Sequence, residues 1–134
     1  MNTFTSAASL TGRVLIATIF LISGSSKIAG YAGTAAYMQS QGVPAVLLPL
    51  VIATEIGGGA LIVLGLWTRA AALGLAGFTL LAALLFHAQV GDSTQQIMLL
   101  KNVAIAGGFL FLLANGAGIW SLDAAHQRQP RNLR

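Results

Sequence analysis

The chain has no cysteine and few charged residues. Without cysteine, the protein cannot form a disulfide bond, a thiolate metal site, an iron–sulfur cluster or a cysteine nucleophile. Charged residues make up 7% of the 134 residues, whereas a soluble globular domain carries about 25%. Hydrophobic residues make up 56%. This composition predicts an integral membrane protein that lies in the lipid bilayer, and any redox chemistry must come from a bound ligand or a partner protein.

Long apolar segments leave room for four membrane spans. Four spans of about 20 residues, joined by short connections, use nearly the whole chain. We therefore expect an all-α, polytopic membrane protein, folded as one antiparallel bundle of four transmembrane helices in a single domain, residues 1–134. The first span has no clear cleavage site after it and is expected to be retained. The predicted spans cover residues 10–29, 44–66, 69–89 and 97–117, and a short interfacial helix is expected over residues 33–41.

Basic residues collect on one side of this predicted bundle, at Arg69 and in the polar tail of residues 122–134, which contains Arg128, Arg131 and Arg134. The two loops on the other side contain Asp92 as their only charged residue. Because short cytoplasmic segments are rich in Lys and Arg, both termini are predicted to be cytoplasmic. The net charge of +4 is thus explained by membrane topology, and nucleic acid is not expected as a partner. Arg13 and Arg69 are interpreted as cytoplasmic anchors.

Glu55 is a carboxylate in the middle of the second predicted span. At 1.5 Å per residue it lies about 15 Å from the span's end, close to the midplane of the membrane. A charged side chain there costs at least about 2.5 kcal/mol. Glu55 is therefore the best candidate for a catalytic or proton-handling residue that contacts a ligand. The alternative is an ion pair with Lys or Arg that only fixes the order of the helices.

Three further polar residues lie near the span ends on the side of the membrane opposite the two termini. Lys27 is close to the end of the first span, and Lys101 lies roughly 6 Å inside the fourth. Either lysine is long enough to pair with Glu55 or to extend towards the membrane surface. His87 lies near the end of the third span and is either an interface residue or a ligand contact. A haem is disfavoured because no second intramembrane histidine is present, and no metal site is predicted.

A series of residues in fixed order resembles the DoxX family of small bacterial inner-membrane proteins. The resemblance covers nearly the whole chain and rests on these positions: Arg13, Ile19-Phe20, Ser23-Gly24, Lys27, Gly30, Thr34-x-x-Tyr37-Met38, Gly42-x-Pro44, Glu55, Gly58, Leu64-Gly65, Thr68-Arg69, Lys101-Asn102 and Gly118-x-x-Ser121-Leu122-Asp123. It implies a four-helix domain in the bacterial inner (cytoplasmic) membrane. It also implies quinone chemistry, since members occur as small subunits of quinol oxidase and thiosulfate:quinone oxidoreductase systems or are associated with quinone detoxification and stress complexes.

Two functions are consistent with these residues, one of them enzymatic or redox-linked and one not. The first is a quinone-linked redox subunit, or a protein that binds a quinone or similar lipophilic ligand without a covalent bond and receives electrons from a partner protein. Its predicted ligand-binding residues are Lys27, Glu55, His87, Lys101 and Asn102. The alternative is a non-enzymatic scaffold or assembly subunit of a redox or stress-response complex. A scaffold should fill the space around Glu55, whereas a quinone site needs a cavity that lipid can reach.

Glycine-rich faces on the second and fourth spans are compatible with a homo-oligomer. A small-solute transporter is the weaker interpretation, because four spans in one copy rarely enclose a pathway.

Overall fold

Four long helices and two short ones form the fold of residues 1–128. A computed structural model describes residues 1–128, so Arg131 and Arg134 of the predicted basic tail lie outside the described residues. A 3₁₀ turn over Ala45–Leu47 leads into α3. The helices are α1 (Thr3–Ala29), α2 (Tyr31–Ser40), α3 (Leu48–Leu64), α4 (Thr68–Phe86), α5 (Ser93–Asn115) and α6 (Leu122–Arg128).

The prediction of an all-α membrane fold is confirmed. Within residues 1–128 there is no strand. Four helical segments are long and apolar enough to cross a membrane, namely α1, the 3₁₀ turn with α3, α4 and α5. Helix α2 occupies the loop in which the short interfacial helix was expected.

The four long helices pack as two antiparallel pairs, α1 with α3 and α4 with α5, and α3 packs against α4 to join the pairs. The core between them is built largely from alanine and a few large side chains. Phe20 of α1 and Phe109 of α5 are buried, and their ring centroids lie 5.4 Å apart. Small residues bring helices close together in lipid, where packing rather than the hydrophobic effect drives association. The end of the bundle that carries α2 is called the α2 end below, and the end that carries the chain's N-terminus and α6 is called the terminal end.

Two helices begin earlier than the apolar pattern predicts, because polar residues cap them. Helix α1 begins at Thr3 rather than at residue 10, since the Asn2 side chain accepts a hydrogen bond from the Thr5 backbone N–H at 2.9 Å. Helix α5 begins at Ser93 rather than at residue 97, since the Asp92 side chain accepts from the backbone N–H groups of the first turn. Such caps stabilise a helix end by about 1 kcal/mol without any apolar residue.

The earlier start of α5 changes the depth of Lys101. At 1.5 Å per residue, Lys101 lies about 12 Å beyond Ser93, twice as deep as the sequence predicted. The other predicted span ends lie within three residues of the observed ends, if the 3₁₀ turn at Ala45–Leu47 is counted with α3.

Candidate functional site

Glu55 forms an ion pair with Lys27 inside the bundle. The Lys27 Nζ atom lies 2.9 Å from Glu55 Oε2 and 3.0 Å from Glu55 Oε1. Ser23 completes the cluster, because its hydroxyl donates to Glu55 Oε1 at 3.1 Å and accepts from Lys27 Nζ at 2.5 Å. Glu55 is only 5% exposed. Of the two lysines that the sequence offered as partners for Glu55, the structure pairs Lys27.

Close packing of α1 on α3 brings these three residues together. A Cβ atom added at Gly24 would lie 2.6 Å from Cγ1 of Ile56, and one added at Gly59 would lie 3.0 Å from Cδ2 of Leu21. The distance at Gly24 leaves no room for a side chain unless Ile56 moves, and at Gly59 the Leu21 side chain would have to shift by a few tenths of an ångström. Ser23 and Lys27 are one turn apart on α1 and therefore share a face.

A cavity of about 410 Å³ lies beside the ion pair, within the range of about 300–1,000 Å³ that small-molecule sites occupy. Residues from all five helices α1–α5 line it, and most of them are apolar. The structure brings all five predicted ligand-binding residues to this cavity. Its polar lining residues are Ser23, Lys27, Thr34, Tyr37, Thr54, Glu55, Thr79, His87, Lys101 and Asn102.

The cavity reaches the membrane-facing surface between α3 and α4. Leu50 of α3 and Leu81 of α4 line it but remain 64% and 56% exposed. Nearer the terminal end the two helices close on each other, since a Cβ atom at Gly58 would lie 2.9 Å from Leu75. At the α2 end, Tyr37 stacks on Phe86 with ring centroids 5.6 Å apart. The cavity that holds the ion pair is therefore open at the surface where Leu50 and Leu81 lie.

His87 and Lys101 line the α2 end of the cavity, where His87 is half-buried and Lys101 is exposed. The His87 Nδ1 atom lies 2.7 Å from Oε1 of Gln95, which holds the ring against the first turn of α5. The Lys101 ammonium contacts the sulfur of Met98 at 3.5 Å. Within residues 1–128 no carboxylate pairs with Lys101. Among the same residues no group of three His, Asp or Glu side chains is placed to hold a metal ion.

Sequence reasoning missed Ser23 and Thr79 as residues of the candidate site. Ser23 could have been found, because it is one turn before Lys27 and polar side chains at that spacing meet. Thr79 has no such signal, since a threonine in a membrane helix usually bonds to its own helix. In the structure the Thr79 hydroxyl is buried and has no hydrogen-bond partner.

Arg13 lies in the interior of the terminal end and is not the surface anchor that the sequence indicated. It is 1% exposed. Its guanidinium donates to the backbone carbonyls of Ile62 at 3.2 Å, Val63 at 2.8 Å and Trp120. The last carbonyls of a helix lack partners within the helix, so Arg13 satisfies the end of α3. Arg69 does the same at the surface, where it donates to Ala114 of α5 at 3.3 Å.

Asp123 of α6 supplies the cap that α4 lacks. Its carboxylate accepts from the backbone N–H groups of Trp67 at 2.8 Å and Thr68 at 3.0 Å. Burial raises the pKa of the Asp123 carboxyl, but the hydrogen bonds from Thr68 and Trp67 outweigh burial and leave the pKa below its ordinary value. The Asp123 N–H donates to the Gly65 carbonyl at 2.8 Å, so α6 is fixed to the α3–α4 turn.

Four apolar spans around a largely apolar cavity that contains an ion pair define a small polytopic membrane protein. Two relatives from Escherichia coli (strain K12) indicate which membrane this is. The chain is 48% identical to "Inner membrane protein YqjF" over 114 residues, which cover 85% of this chain and 88% of that protein. It is 40% identical to "Inner membrane protein YphA" over 121 residues, which cover 85% of this chain and 86% of that protein. The chain is an integral inner-membrane protein.

The family itself is shown by a match to the DoxX family over residues 8–88. Together with the two relatives, this match means that the chain belongs to the DoxX family, as the sequence motifs predicted. No solved structure matches the chain.

Proposed function

We propose that this protein binds a quinone or a similar lipophilic redox ligand in the cavity between its helices. One observation carries the proposal: a largely apolar cavity, open at the helix surface, is lined by the ion pair between the buried Glu55 and the half-buried Lys27. A ligand of this class needs an apolar slot for its ring, hydrogen-bond donors for its carbonyl oxygens and a nearby group that exchanges protons. The cavity offers each of these.

The donors and the apolar wall lie on different helices. Phe20 and Phe86 provide aromatic surface for a ring. Lys27 and Asn102 face the cavity from opposite helix pairs and provide donors, and Glu55 is held where it can exchange a proton with Lys27 or with a bound ligand. Since the chain has no cysteine, electrons for a reduced ligand would come from a partner protein that contacts this one.

The open cavity favours ligand binding over the scaffold alternative. A protein that only needs the Lys27–Glu55 pair to hold α1 against α3 gains nothing from a cavity beside the pair. Interiors are otherwise close-packed, and an unfilled space costs stability. No observation favours the scaffold beyond the ion pair itself, which both functions require.

Binding of decylubiquinone to the purified protein in nanodiscs tests the proposal. We expect saturable binding by the wild type, weakened about tenfold by Glu55→Gln, the factor that one hydrogen bond to a charged group is worth. Ser23→Ala should weaken binding through loss of its bonds to the ion pair. Ser25→Ala is the matched control, because the Ser25 hydroxyl bonds only to the Leu21 carbonyl of its own helix. Absence of saturable binding by a folded wild type would contradict the proposal.

We also propose that both termini face the cytoplasm. The support is the distribution of charge, since Arg69 and Arg128 lie at the terminal end and Asp92 lies in the loop at the α2 end. In this orientation the cavity lies in the outer half of the membrane. If the protein forms a homo-oligomer, we propose that each copy has its own complete cavity, because the lining residues described all come from one chain.

A further inference from the structure

Helix α2 covers the end of the cavity that faces away from the two termini. Its side chains Thr34, Tyr37 and Met38 line the cavity, and Met38 is buried. With 10 residues, α2 is too short to cross a membrane, since a crossing takes about 20. It therefore lies at the end of the bundle, between the cavity and the water on that side of the membrane.

The lining of the cavity is polar below α2 and apolar at the opening between α3 and α4. Thr34 lies in the first turn of α2, Lys27 in the last turn of α1, and Ser23 one turn before Lys27. These side chains continue from α2 to the ion pair. The other opening is lined by Leu50 and Leu81. Because water inside a protein needs polar partners, a route for water to the ion pair would run below α2.

One aromatic contact fastens α2 across the cavity. The helix packs mainly against α1 and the 3₁₀ turn. Its hydrogen bonds stay within α2 and its flanking residues, and within residues 1–128 none joins it to α4 or α5. Tyr37 of α2 stacks on Phe86 of α4, with ring centroids 5.6 Å apart and ring planes inclined by 25°. The position of α2 over the cavity thus depends on this stack.

Glycine stands at both ends of α2. Gly30 is the single residue between α1 and α2. Gly42 follows α2 with φ of +76°, a conformation that glycine adopts without steric cost. The residues that absorb the backbone rotation when a lid moves lie at the ends of the moving element. These two connections suit a short helix that swings as a unit.

We propose that α2 is a lid over a second, water-facing entrance to the cavity, and that the stack of Tyr37 on Phe86 is its latch. When the latch opens, water reaches the Lys27–Glu55 ion pair and exchanges protons with it. A lipophilic ligand uses the other opening, between α3 and α4. In the orientation proposed above, the lid faces the outside of the cell. This inference goes beyond the proposed function, because it concerns the access of water and holds for any lipophilic ligand.

Chemical modification of a single cysteine inside the cavity tests the lid. Ala82 lines the cavity, and the chain has no cysteine of its own, so Ala82→Cys introduces the only thiol. The reagent is 2-sulfonatoethyl methanethiosulfonate, whose charge keeps it out of the hydrocarbon and away from the opening between α3 and α4. The rate of modification is measured in nanodiscs. We expect Ala82→Cys to react much more slowly than Val90→Cys, since Val90 is 96% exposed.

Two latch variants, Tyr37→Leu and Phe86→Leu, remove the stack and keep an apolar side chain. Each should raise the rate at Ala82→Cys about two- to tenfold, the range that an aromatic pair adds to an equilibrium constant. The two changes together should raise it no further than one alone, because they remove the same contact. Tyr31→Leu is the matched control and should leave the rate unchanged. Tyr31 lies on the same helix, is 44% exposed against 47% for Tyr37, and stacks on no ring within residues 1–128.

A cysteine in the core distinguishes an open lid from a loosened bundle. Ala106 is 3% exposed and does not line the cavity, so the rate at Ala106→Cys should not rise in either latch variant. The inference is overturned if neither latch variant raises the rate at Ala82→Cys, if Tyr31→Leu raises it equally, or if Ala106→Cys accelerates in parallel. It is also overturned if Ala82→Cys already reacts as fast as Val90→Cys.

Phe86→Leu gives the result if Tyr37→Leu impairs folding. Because no ligand is added, every one of these outcomes leaves quinone binding untouched, and a failure of quinone binding leaves the lid in place.

Discussion

At the scale of single residues, the two charged groups buried in the described bundle are stabilised in different ways. Glu55 has an ion-pair partner on α1. Arg13 has backbone carbonyls instead, two of them at the end of α3 and one from Trp120. An arginine can satisfy several carbonyls at once because its guanidinium carries five donors in a fixed plane. The position of Arg13 thus ties α1 to α3 and to the segment that follows α5.

Replacing Arg13 with methionine should destabilise the bundle. Three carbonyls would lose a charged donor, and hydrogen bonds to charged groups contribute about 1.5–3 kcal/mol each without adding fully. We expect the free energy of unfolding to fall by about 2–4 kcal/mol, measured by denaturation in detergent micelles. Arg69→Met is the control, because an exposed substitution changes stability by about 0.5 kcal/mol. Equal effects of the two variants would show that Arg13 is an ordinary surface anchor.

Asp123 should make the stability of the terminal end depend on pH. Its pKa is lower in the folded protein than its ordinary value, so the carboxylate stabilises the fold at pH values above that ordinary value. This contribution is lost as the pH falls through the folded pKa. Hydrogen exchange of the Trp67 and Thr68 amides should accelerate at acidic pH relative to amides in the middle of α4. Asp123→Asn should remove this pH dependence, and a variant that retains it would contradict the assignment.

At the scale of helices and turns, glycine decides how closely the elements meet. Gly65 ends α3 with φ of +65°, and a Cβ atom there would lie 2.5 Å from Cβ of Ser121 and would also overlap the guanidinium of Arg13. The turn can therefore close over Arg13 only without a side chain at this position.

Gly65→Ala should lower the free energy of unfolding by about 1–3 kcal/mol, the cost of a left-handed backbone for a residue with a side chain, with the overlap adding to it. Gly57→Ala is the matched control, because Gly57 lies inside α3 and a Cβ atom there would have no neighbour within 4 Å. That change should leave stability unchanged or raise it by up to about 1 kcal/mol. Thermal unfolding of both variants decides the matter, and equal stability of the two would contradict the packing described for the turn.

The helices show what a sequence pattern can and cannot predict. Apolar runs gave the four spans because lipid requires about 20 apolar residues per crossing. They did not give the starts of α1 and α5, where Asn2 and Asp92 extend each helix through polar residues. Hydropathy does not take helix capping into account. The start of α5 was therefore predicted too late, and the depth of Lys101 was underestimated.

At the scale of the whole molecule, the residues of the candidate site were easier to predict than their contacts. Glu55, Lys27 and Lys101 stand out because charge is rare in these spans. Which lysine pairs with Glu55 depends on how α1 packs against α3, and a single sequence does not encode that geometry visibly. The role of Arg13 was misjudged for the same reason, since position near a span end does not reveal whether a side chain turns inward.

The proposed orientation can be measured in whole cells. Because the chain has no cysteine, a single introduced cysteine reports its own side of the membrane without background. Val90 lies in the α4–α5 loop and is 96% exposed. We expect a membrane-impermeant maleimide to label Val90→Cys from outside the cell. Gln127→Cys in α6 should be labelled only after the cells are lysed. The opposite labelling pattern would show that both termini face outward and would contradict the proposed orientation.

The most direct test of a quinone site in this cavity is photochemical crosslinking. An azido-quinone with a short alkyl tail would be irradiated with the protein in nanodiscs, and the modified residues would be located by mass spectrometry. We predict modification at cavity residues such as Phe20, Leu81 and Phe86, suppressed by excess decylubiquinone and reduced in Glu55→Gln. Modification that is spread over the lipid-facing surface, and that excess decylubiquinone does not suppress, would contradict a quinone site between these helices.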